Sequence, residues 1–118
     1  MSHLIARNLE FLEKINNASP EEAKLILQNS TDDNVLALTE LALNILQGKL
    51  DICLDTYVKL KVHSELIRKL AKRSVSTSNK RKWLVRSLEV LPCLISPLIS
   101  CLGSCIVKKI IEDGLGNG

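Results

Sequence analysis

Residues 90–107 of this 118-residue chain form an uncharged, mostly apolar stretch, VLPCLISPLISCLGSCIV, directly after the most basic part of the sequence. Glu89 precedes the stretch and Lys108-Lys109 follow it. A run of this length exposes too much apolar surface to remain in water, so it has to be buried in the chain's own core, in a partner or in lipid. The stretch restricts the class of protein, although it identifies no substrate.

Charge is distributed very unevenly along the chain. Residues 1–58 carry 4 basic and 9 acidic side chains, residues 59–86 carry 10 basic and 1 acidic, and residues 87–118 carry 2 basic and 3 acidic. The formal net charge of +3 therefore conceals an acidic first half and a strongly basic middle. Such a block indicates a polyanionic partner, either nucleic acid or an anionic membrane surface, although a solvated helix face followed by a basic linker has the same composition.

The first half of the chain shows helical periodicity and helix-start signals. Apolar residues recur at helical spacing from Leu4 to Ile15, and Asn16-Asn17 is predicted to end that helix. Ser19-Pro20-Glu21-Glu22 and Thr31-Asp32-Asp33 are typical helix starts, with a capping side chain and acidic residues in the first turn. Gly48 is predicted to follow the end of the third helix as its C′ residue.

The second half is also predicted to be helical. Leu54, Val58, Val62, Leu66 and Leu70 repeat every four residues, which predicts one helix over 51–73. A polar loop or cap at 74–79 and a helix over 80–90 follow, with Pro92 and Pro97 interrupting the tail and a further helix over about 98–112. The predicted fold is all-α, with a small helical bundle head (1–75), a basic connector or helix (76–89) and an apolar, proline-interrupted helical tail (90–118).

Nothing in the sequence indicates catalysis. The chain has two histidines, His3 and His63, and none of the phosphate-binding, nucleophile or metalloprotease motifs. The acidic pairs lie at helix starts, where capping explains them. Its four cysteines lack metal-site spacing, and without a secretory signal they are expected to be reduced and packed in apolar surroundings. We therefore predict a protein that is not an enzyme and holds no cofactor or metal.

The basic block supplies candidate nucleic-acid-binding residues. Lysine and arginine side chains neutralise phosphates without reading the bases, and Trp83 is the one aromatic residue near them. The predicted contacts are Lys69, Lys72, Arg73, Lys80, Arg81, Lys82 and Arg86.

The apolar tail has three interpretations. As a spanning helix its 18 residues reach about 27 Å, short for a hydrocarbon core of about 30 Å. As a membrane-surface segment it tolerates its prolines, and its basic flanks attract anionic lipid. As a helical hairpin it lies in the core of the domain itself. The residues expected to contact membrane or core are Leu91, Leu94, Ile95, Leu98, Ile99, Leu102 and Ile106.

Two segments carry a family resemblance. The basic run 80–85 (KRKWLV), the apolar run 91–99 (LPCLISPLI) and Gly103 resemble the adenovirus core protein X (mu) precursor and the small proteins encoded beside capsid genes in adintoviruses and Polinton (Maverick) elements. Residues 34–48 are similar to the helical head of the Polinton versions. The chain has Leu88-Glu89-Val90-Leu91-Pro92 where that family has Gly-Gly-Phe-Leu-Pro. The resemblance implies a minor virion component that binds packaged DNA or acts on membranes at entry.

Three function hypotheses follow. The first is a non-enzymatic viral accessory or minor virion (core) protein that binds nucleic acid independently of sequence, in the virion or in the host nucleus or cytoplasm. The second is a membrane-active or tail-anchored protein that uses residues 90–107. The third is a helical protein–protein interaction domain whose tail lies in its own core, with a helical partner or a second copy of the chain.

Overall fold

The computed structural model describes residues 3–50 and 52–100, and within these ranges all regular secondary structure is helical, so the predicted all-α fold is confirmed. The helices are α1 (His3–Arg7), α2 (Leu9–Asn16), α3 (Pro20–Gln28), α4 (Asp32–Leu46), α5 (Leu54–Val62), α6 (Ser64–Ala71), α7 (Thr77–Arg86) and α8 (Val90–Ser100).

Three of these helices have a serine or threonine as their N-cap residue. The side chains of Ser19, Thr31 and Ser76 each accept a hydrogen bond from the backbone N–H three residues later, at 3.3, 3.1 and 3.2 Å. At Thr31 the cap is reciprocal, because the backbone N–H of Thr31 donates to Asn34 Oδ1 at 2.9 Å. The starts predicted at Ser19 and Thr31 are confirmed, and the polar segment 74–79 contains the cap of α7, which begins three residues before the predicted Lys80.

Gly48 follows α4 in the left-handed conformation, as predicted, with φ of +67°. The backbone N–H of Gly48 donates to the carbonyl of Ile45 and that of Lys49 to the carbonyl of Asn44, the paired bonds of a Schellman motif. A Cβ at Gly48 would meet no atom within 4 Å, so conformation rather than space favours glycine here.

Asn8 divides the first predicted helix into α1 and α2. The Asn8 side chain is buried and donates to the carbonyl of Leu4 at 2.7 Å and to Asp33 at 2.9 Å, and it accepts from Asn34 at 2.6 Å. Arg7 donates to both carboxylate oxygens of Asp33, at 2.9 and 2.7 Å, and these bonds, with that from Asn8, lower the pKa of Asp33 to about 2. This polar cluster joins the first two helices to the start of α4.

The single helix predicted over 51–73 is wrong, because the chain breaks at His63 into α5 and α6. Four residues of α-helix turn through about 400°, so each step of the stripe from Leu54 to Leu70 rotates it by about 40°. Over four steps the stripe rotates by about 160°, and a straight helix cannot place both ends in one core. Ile67, Leu70 and Ala71 of α6 are buried, whereas Leu54, Tyr57, Val58 and Val62 of α5 are exposed.

The described residues share one hydrophobic core. It extends in sequence from Ile5 to Leu98 and includes Leu38 and Leu41 of α4, Leu84 of α7 and Leu94 of α8. Helix α4 contacts α1, α6 and α7, and α7 also contacts α3 and α6. The predicted domain boundaries after residues 75 and 89 do not coincide with any break in this core.

Helix α8 continues through Pro97, where the sequence predicted an interruption. A proline inside a helix removes one backbone hydrogen bond and costs about 3 kcal/mol. Burial of one leucine or isoleucine contributes about 1.5–3 kcal/mol, and Leu94, Ile95 and Leu98 are all buried. Packing of this face therefore offsets the proline.

No single helix among the described residues has the length and hydropathy of a membrane span. The helices α7 and α8 meet those criteria only as a pair, and the chain bends by 102° between them.

Candidate nucleic-acid interface

Helix α7 carries the centre of the basic block, and its first turns are fixed to the junction of α3 and α4. Thr77 donates to Asp32 at 2.8 Å, and Arg81 Nη2 lies 3.1 Å from the same carboxylate oxygen. The bond from Thr77, followed by that from Arg81, lowers the pKa of Asp32. Arg81 also donates to the hydroxyl and the carbonyl of Ser30, at 3.1 and 3.3 Å. The guanidinium of Arg81 is therefore largely occupied by contacts within the protein.

Lys80 points into the core rather than to solvent. Its side chain is fully buried, and Nζ donates to Thr39 Oγ1 of α4 at 2.8 Å. Burial in apolar surroundings lowers the pKa of this ammonium. The prediction that Lys80 contacts phosphate is therefore wrong for this structure, because its position on α7 faces the same side as the buried Leu84.

Lys82 and Arg86 lie one turn apart on the exposed side of α7. Trp83, which is partly buried, lies between this side and α6. Across the helix pair, Lys69 Nζ of α6 is 5.6 Å from the centroid of the Trp83 ring, within range of a cation–π interaction. The contact places the cations of α6 beside those of α7.

A groove of about 430 Å³ separates the two helices at this point. The described residues that line it include Lys69, Trp83, Arg86 and His63, together with Glu65. Arg86 also borders a second depression of about 320 Å³, where Arg81 and Lys82 contribute to the wall. Arg86 therefore lies between two concave surfaces whose described linings contain more lysine and arginine than acidic side chains.

Lys72 and Arg73 extend the positive charge beyond the end of α6. Lys72 is the C-cap residue of that helix and is exposed. Arg73 Nη2 lies 3.6 Å from Glu40, but the arginine side chain is 76% exposed, so this ion pair is weak. Of the seven predicted nucleic-acid contacts, five have exposed side chains, on or just after α6 and on α7. We call them the basic surface: Lys69, Lys72, Arg73, Lys82 and Arg86.

Four cations of the basic surface have no acidic partner within 4.0 Å among the residues that the structure describes. Over residues 3–50 and 52–100, the ion pairs within 4.0 Å join Arg7 to Asp33, Arg73 to Glu40 and Arg81 to Asp32. None of them involves Lys69, Lys72, Lys82 or Arg86. These four side chains can contact an external anion without breaking an ion pair of the protein.

Five of the seven apolar residues predicted to contact membrane or core lie within the described part of the chain, and all five are buried or partly buried. Leu91, Leu94, Ile95 and Leu98 are buried in the core, and Ile99 is partly buried against it. Leu102 and Ile106 lie outside the described residues. The α8 portion of the tail thus packs against the head.

The cysteines form no metal site among the residues that the structure describes, where no cluster of three potential ligands occurs. Cys53 is exposed at the start of α5, and Cys93 is buried, which raises the pKa of its thiol. Cys101 and Cys105 lie outside the described residues.

Trp83 and His63 line the groove, although the periodicity of the sequence did not assign them to the candidate site. A signal was present for Trp83, which precedes Arg86 by three residues and therefore shares a helix face with it. No comparable signal existed for His63, because its place at the groove depends on the break between α5 and α6.

Comparisons of the chain with protein-family models, with curated proteins and with solved structures gave no match.

Proposed function

We propose that this protein binds nucleic acid through the basic surface, without reading the base sequence and without catalysing a reaction. The observation that supports this proposal is a group of four exposed cations without an ion-pair partner among the described residues, of which Lys69 and Arg86 line the groove at Trp83. Phosphate contacts by lysine and arginine provide most of the affinity in binding of this kind.

The chemistry of the groove favours backbone contact over base recognition. Specific reading of bases uses side chains that reach a groove of the duplex in fixed geometry, whereas Lys69, Lys72 and Lys82 are flexible point charges. Trp83 is a single aromatic side chain, and platforms for single-stranded nucleic acid use several. We therefore expect similar affinities for unrelated sequences.

The test is a titration of a fluorescent duplex with the full chain, followed by anisotropy at several salt concentrations. Neutralisation of about four phosphates gives a slope of log affinity against log salt of about −3.6, since each contact contributes about −0.9. Two duplexes of unrelated sequence should give the same slope and the same affinity at each salt concentration.

Substitutions can separate the contribution of the basic surface to binding from the contribution of the protein's net charge. Lys69→Gln combined with Lys82→Gln should reduce the magnitude of the salt slope by about 2 and weaken binding. Lys24→Gln combined with Lys49→Gln removes the same charge from two exposed lysines that line neither groove, and it should have little effect. Lys80→Met should also leave the slope unchanged, because Lys80 is buried.

Affinity that does not change with salt would contradict the proposal. An equal loss of binding in the Lys24/Lys49 and Lys69/Lys82 double variants would also contradict it, because affinity would then depend on the net charge of the protein and not on the basic surface.

For the biological setting we propose a minor component of a virion, with action in the particle or in the host nucleus or cytoplasm. This part of the proposal rests on the resemblance of residues 80–85 and 91–99 to small core proteins of adenoviruses and of Polinton elements. Detection of the protein in purified particles, at a constant ratio to the capsid protein, is the corresponding measurement.

Membrane activity of residues 90–107 is the less favoured alternative. Helix α8 would have to withdraw Leu91, Leu94, Ile95 and Leu98 from the core before these side chains contact lipid. Burial of that apolar surface opposes the withdrawal at about 25 cal/mol per Å².

A further inference from the structure

Helix α5 presents an apolar face to solvent. Leu54 and Val62 are 75% and 77% exposed, and Val58 between them is 55% exposed. On the opposite side of the helix, Leu60 is buried in the core, which fixes the orientation of α5. We call Leu54, Val58 and Val62 the α5 outer face. Contiguous apolar side chains of this kind commonly mark a binding surface.

The positions on α5 follow from a turn of about 100° per residue. Val58 lies at the centre of the outer face, with Leu54 and Val62 about 40° to either side. Asp55 and Lys59 form the flank on one side, and Lys61 and Tyr57 form the flank on the other. All four flanking residues are exposed.

We propose that α5 packs against α5 of a second copy of this chain, antiparallel, about a two-fold axis that passes beside Val58. In such a pair, residue 58 contacts itself, and Leu54 of each chain contacts Val62 of the partner subunit. A two-fold interface has to be self-complementary, and the spacing of these three residues about Val58 satisfies that requirement.

Charge complementarity supports the second copy as the occupant. In an antiparallel pair related by a two-fold axis, each flank of one helix meets the same flank of the other. Asp55 of each chain then lies opposite Lys59 of the partner subunit, so that two ion pairs form. On the other flank, Lys61 approaches Tyr57 of the partner subunit and makes a cation–π contact. A parallel pair would instead bring unlike flanks together and lose both matches.

The size of the face indicates a weak dimer. Helix α5 has nine residues and is about 13.5 Å long, so the pair buries less surface than a typical permanent dimer.

The dimer places two basic surfaces in one particle, and multivalent contact of this kind strengthens binding to a long polyanion. The dimer itself does not depend on the proposed nucleic-acid function.

The test is sedimentation equilibrium of the full chain without nucleic acid, from about 10 µM to about 1 mM, the range expected for a small interface. The expected result is a reversible monomer–dimer equilibrium. Val58→Glu places two carboxylates at the axis and should raise the dissociation constant by about tenfold or more. Leu25→Glu is the matched control, because Leu25 is an exposed leucine on α3, and it should leave the equilibrium unchanged.

Charge exchange tests the antiparallel arrangement. Asp55→Lys alone and Lys59→Asp alone each place like charges opposite each other in the homodimer and should weaken association. A mixture of the two variants restores opposite charges at both contacts, so the heterodimer should be favoured over either homodimer. Circular dichroism of each variant verifies that the helices are retained.

Three results would overturn the proposal. A chain that is monomeric at every concentration leaves the α5 outer face to another partner or to residues 101–118. Unchanged dimerisation of Val58→Glu places the interface elsewhere. An absence of preference for the mixed dimer excludes the antiparallel arrangement.

Discussion

The ammonium of Lys80 is buried with one hydroxyl group, Thr39 Oγ1, as its hydrogen-bond partner, and no carboxylate among the described residues pairs with it. An ammonium group can donate three hydrogen bonds, and its removal from water is costly without an opposite charge. Lys80 therefore gives α7 a fixed position on α4 at the expense of stability.

Replacement of Lys80 by methionine should stabilise the fold. The substitution Lys80→Met retains most of the side-chain volume and removes the buried charge, and we expect a gain of about 1 kcal/mol at pH 7, or several degrees in Tm. The hydroxyl of Thr39 can then donate to a carbonyl one turn earlier in α4. The measurement is calorimetric melting of both proteins.

The gain should depend on pH in a defined direction. Because burial lowers the pKa of Lys80 below its usual 10.5, the charged form destabilises the folded state fully below the folded-state pKa. This destabilisation disappears as the pH rises past 10.5, so the advantage of Lys80→Met should shrink between pH 7 and pH 11. An advantage that is constant with pH, or a loss of stability at pH 7, would mean that the lysine is not buried as a cation.

At the scale of the element, α8 is the clearest case of packing that outweighs local preference. Pro97 lies inside the helix, which nevertheless extends from Val90 to Ser100, whereas Pro92 lies in its first turn, where proline is tolerated. Four of its leucine and isoleucine side chains are fully or almost fully buried: Leu91, Leu94, Ile95 and Leu98. The stability of α8 therefore depends on the core more than on its intrinsic helix propensity.

Replacement of a buried side chain of α8 by a smaller one should consequently destabilise the whole domain. Leu94→Ala removes a fully buried side chain, and we expect a loss of about 2–5 kcal/mol in the free energy of unfolding, measured by urea denaturation. Ser100→Ala, at an exposed position of the same helix, should change stability by less than about 0.5 kcal/mol. A small effect of Leu94→Ala would show that α8 does not pack as described.

Because the chain breaks between α5 and α6, the residues of the predicted stripe differ in burial, and substitutions at them should differ in their effect on stability. Leu66 belongs to the predicted stripe but is only partly buried, whereas Leu70 on α6 is buried. Substitutions at Leu70 should therefore cost more stability than the same substitutions at Leu66, because more apolar surface is lost from the core.

At the scale of the whole molecule, one core includes residues on both sides of the basic block. Leu84 and Leu94 contribute to the same cluster as Leu12 and Leu41. Residues 76–100 are therefore part of the packed domain, and the basic surface belongs to its exterior.

Removal of residues 90–118 should abolish cooperative folding of the remainder. The shortened chain of residues 1–89 would expose the core surface that α8 covers, and a domain of this size has only about 5–15 kcal/mol of stability to lose. We expect a broad thermal transition and aggregation, measured by circular dichroism and light scattering. A sharp, monomeric melt of residues 1–89 would instead show that the first 89 residues fold independently of the tail.

The sequence alone determined the class of fold and the helix ends that are marked by capping residues. Ser19, Thr31 and Gly48 act through hydrogen bonds and backbone conformation within a few residues, so their effects can be recognised without knowledge of the rest of the chain. The sequence also showed which segment carries the positive charge, because this needs only the positions of the charged residues along the chain.

Only the tertiary structure decided which way the side chains face. Periodicity defines a face of a helix but not the surface that it meets, so Lys80 entered the core while Leu54, Val58 and Val62 remained outside it. The predicted stripe of α5 and α6 failed because its rotation along the helix had to be resolved by a break at His63. The grouping of Lys69, Trp83 and Arg86 likewise depends on the packing of α6 against α7, a contact between residues distant in sequence that no local pattern specifies.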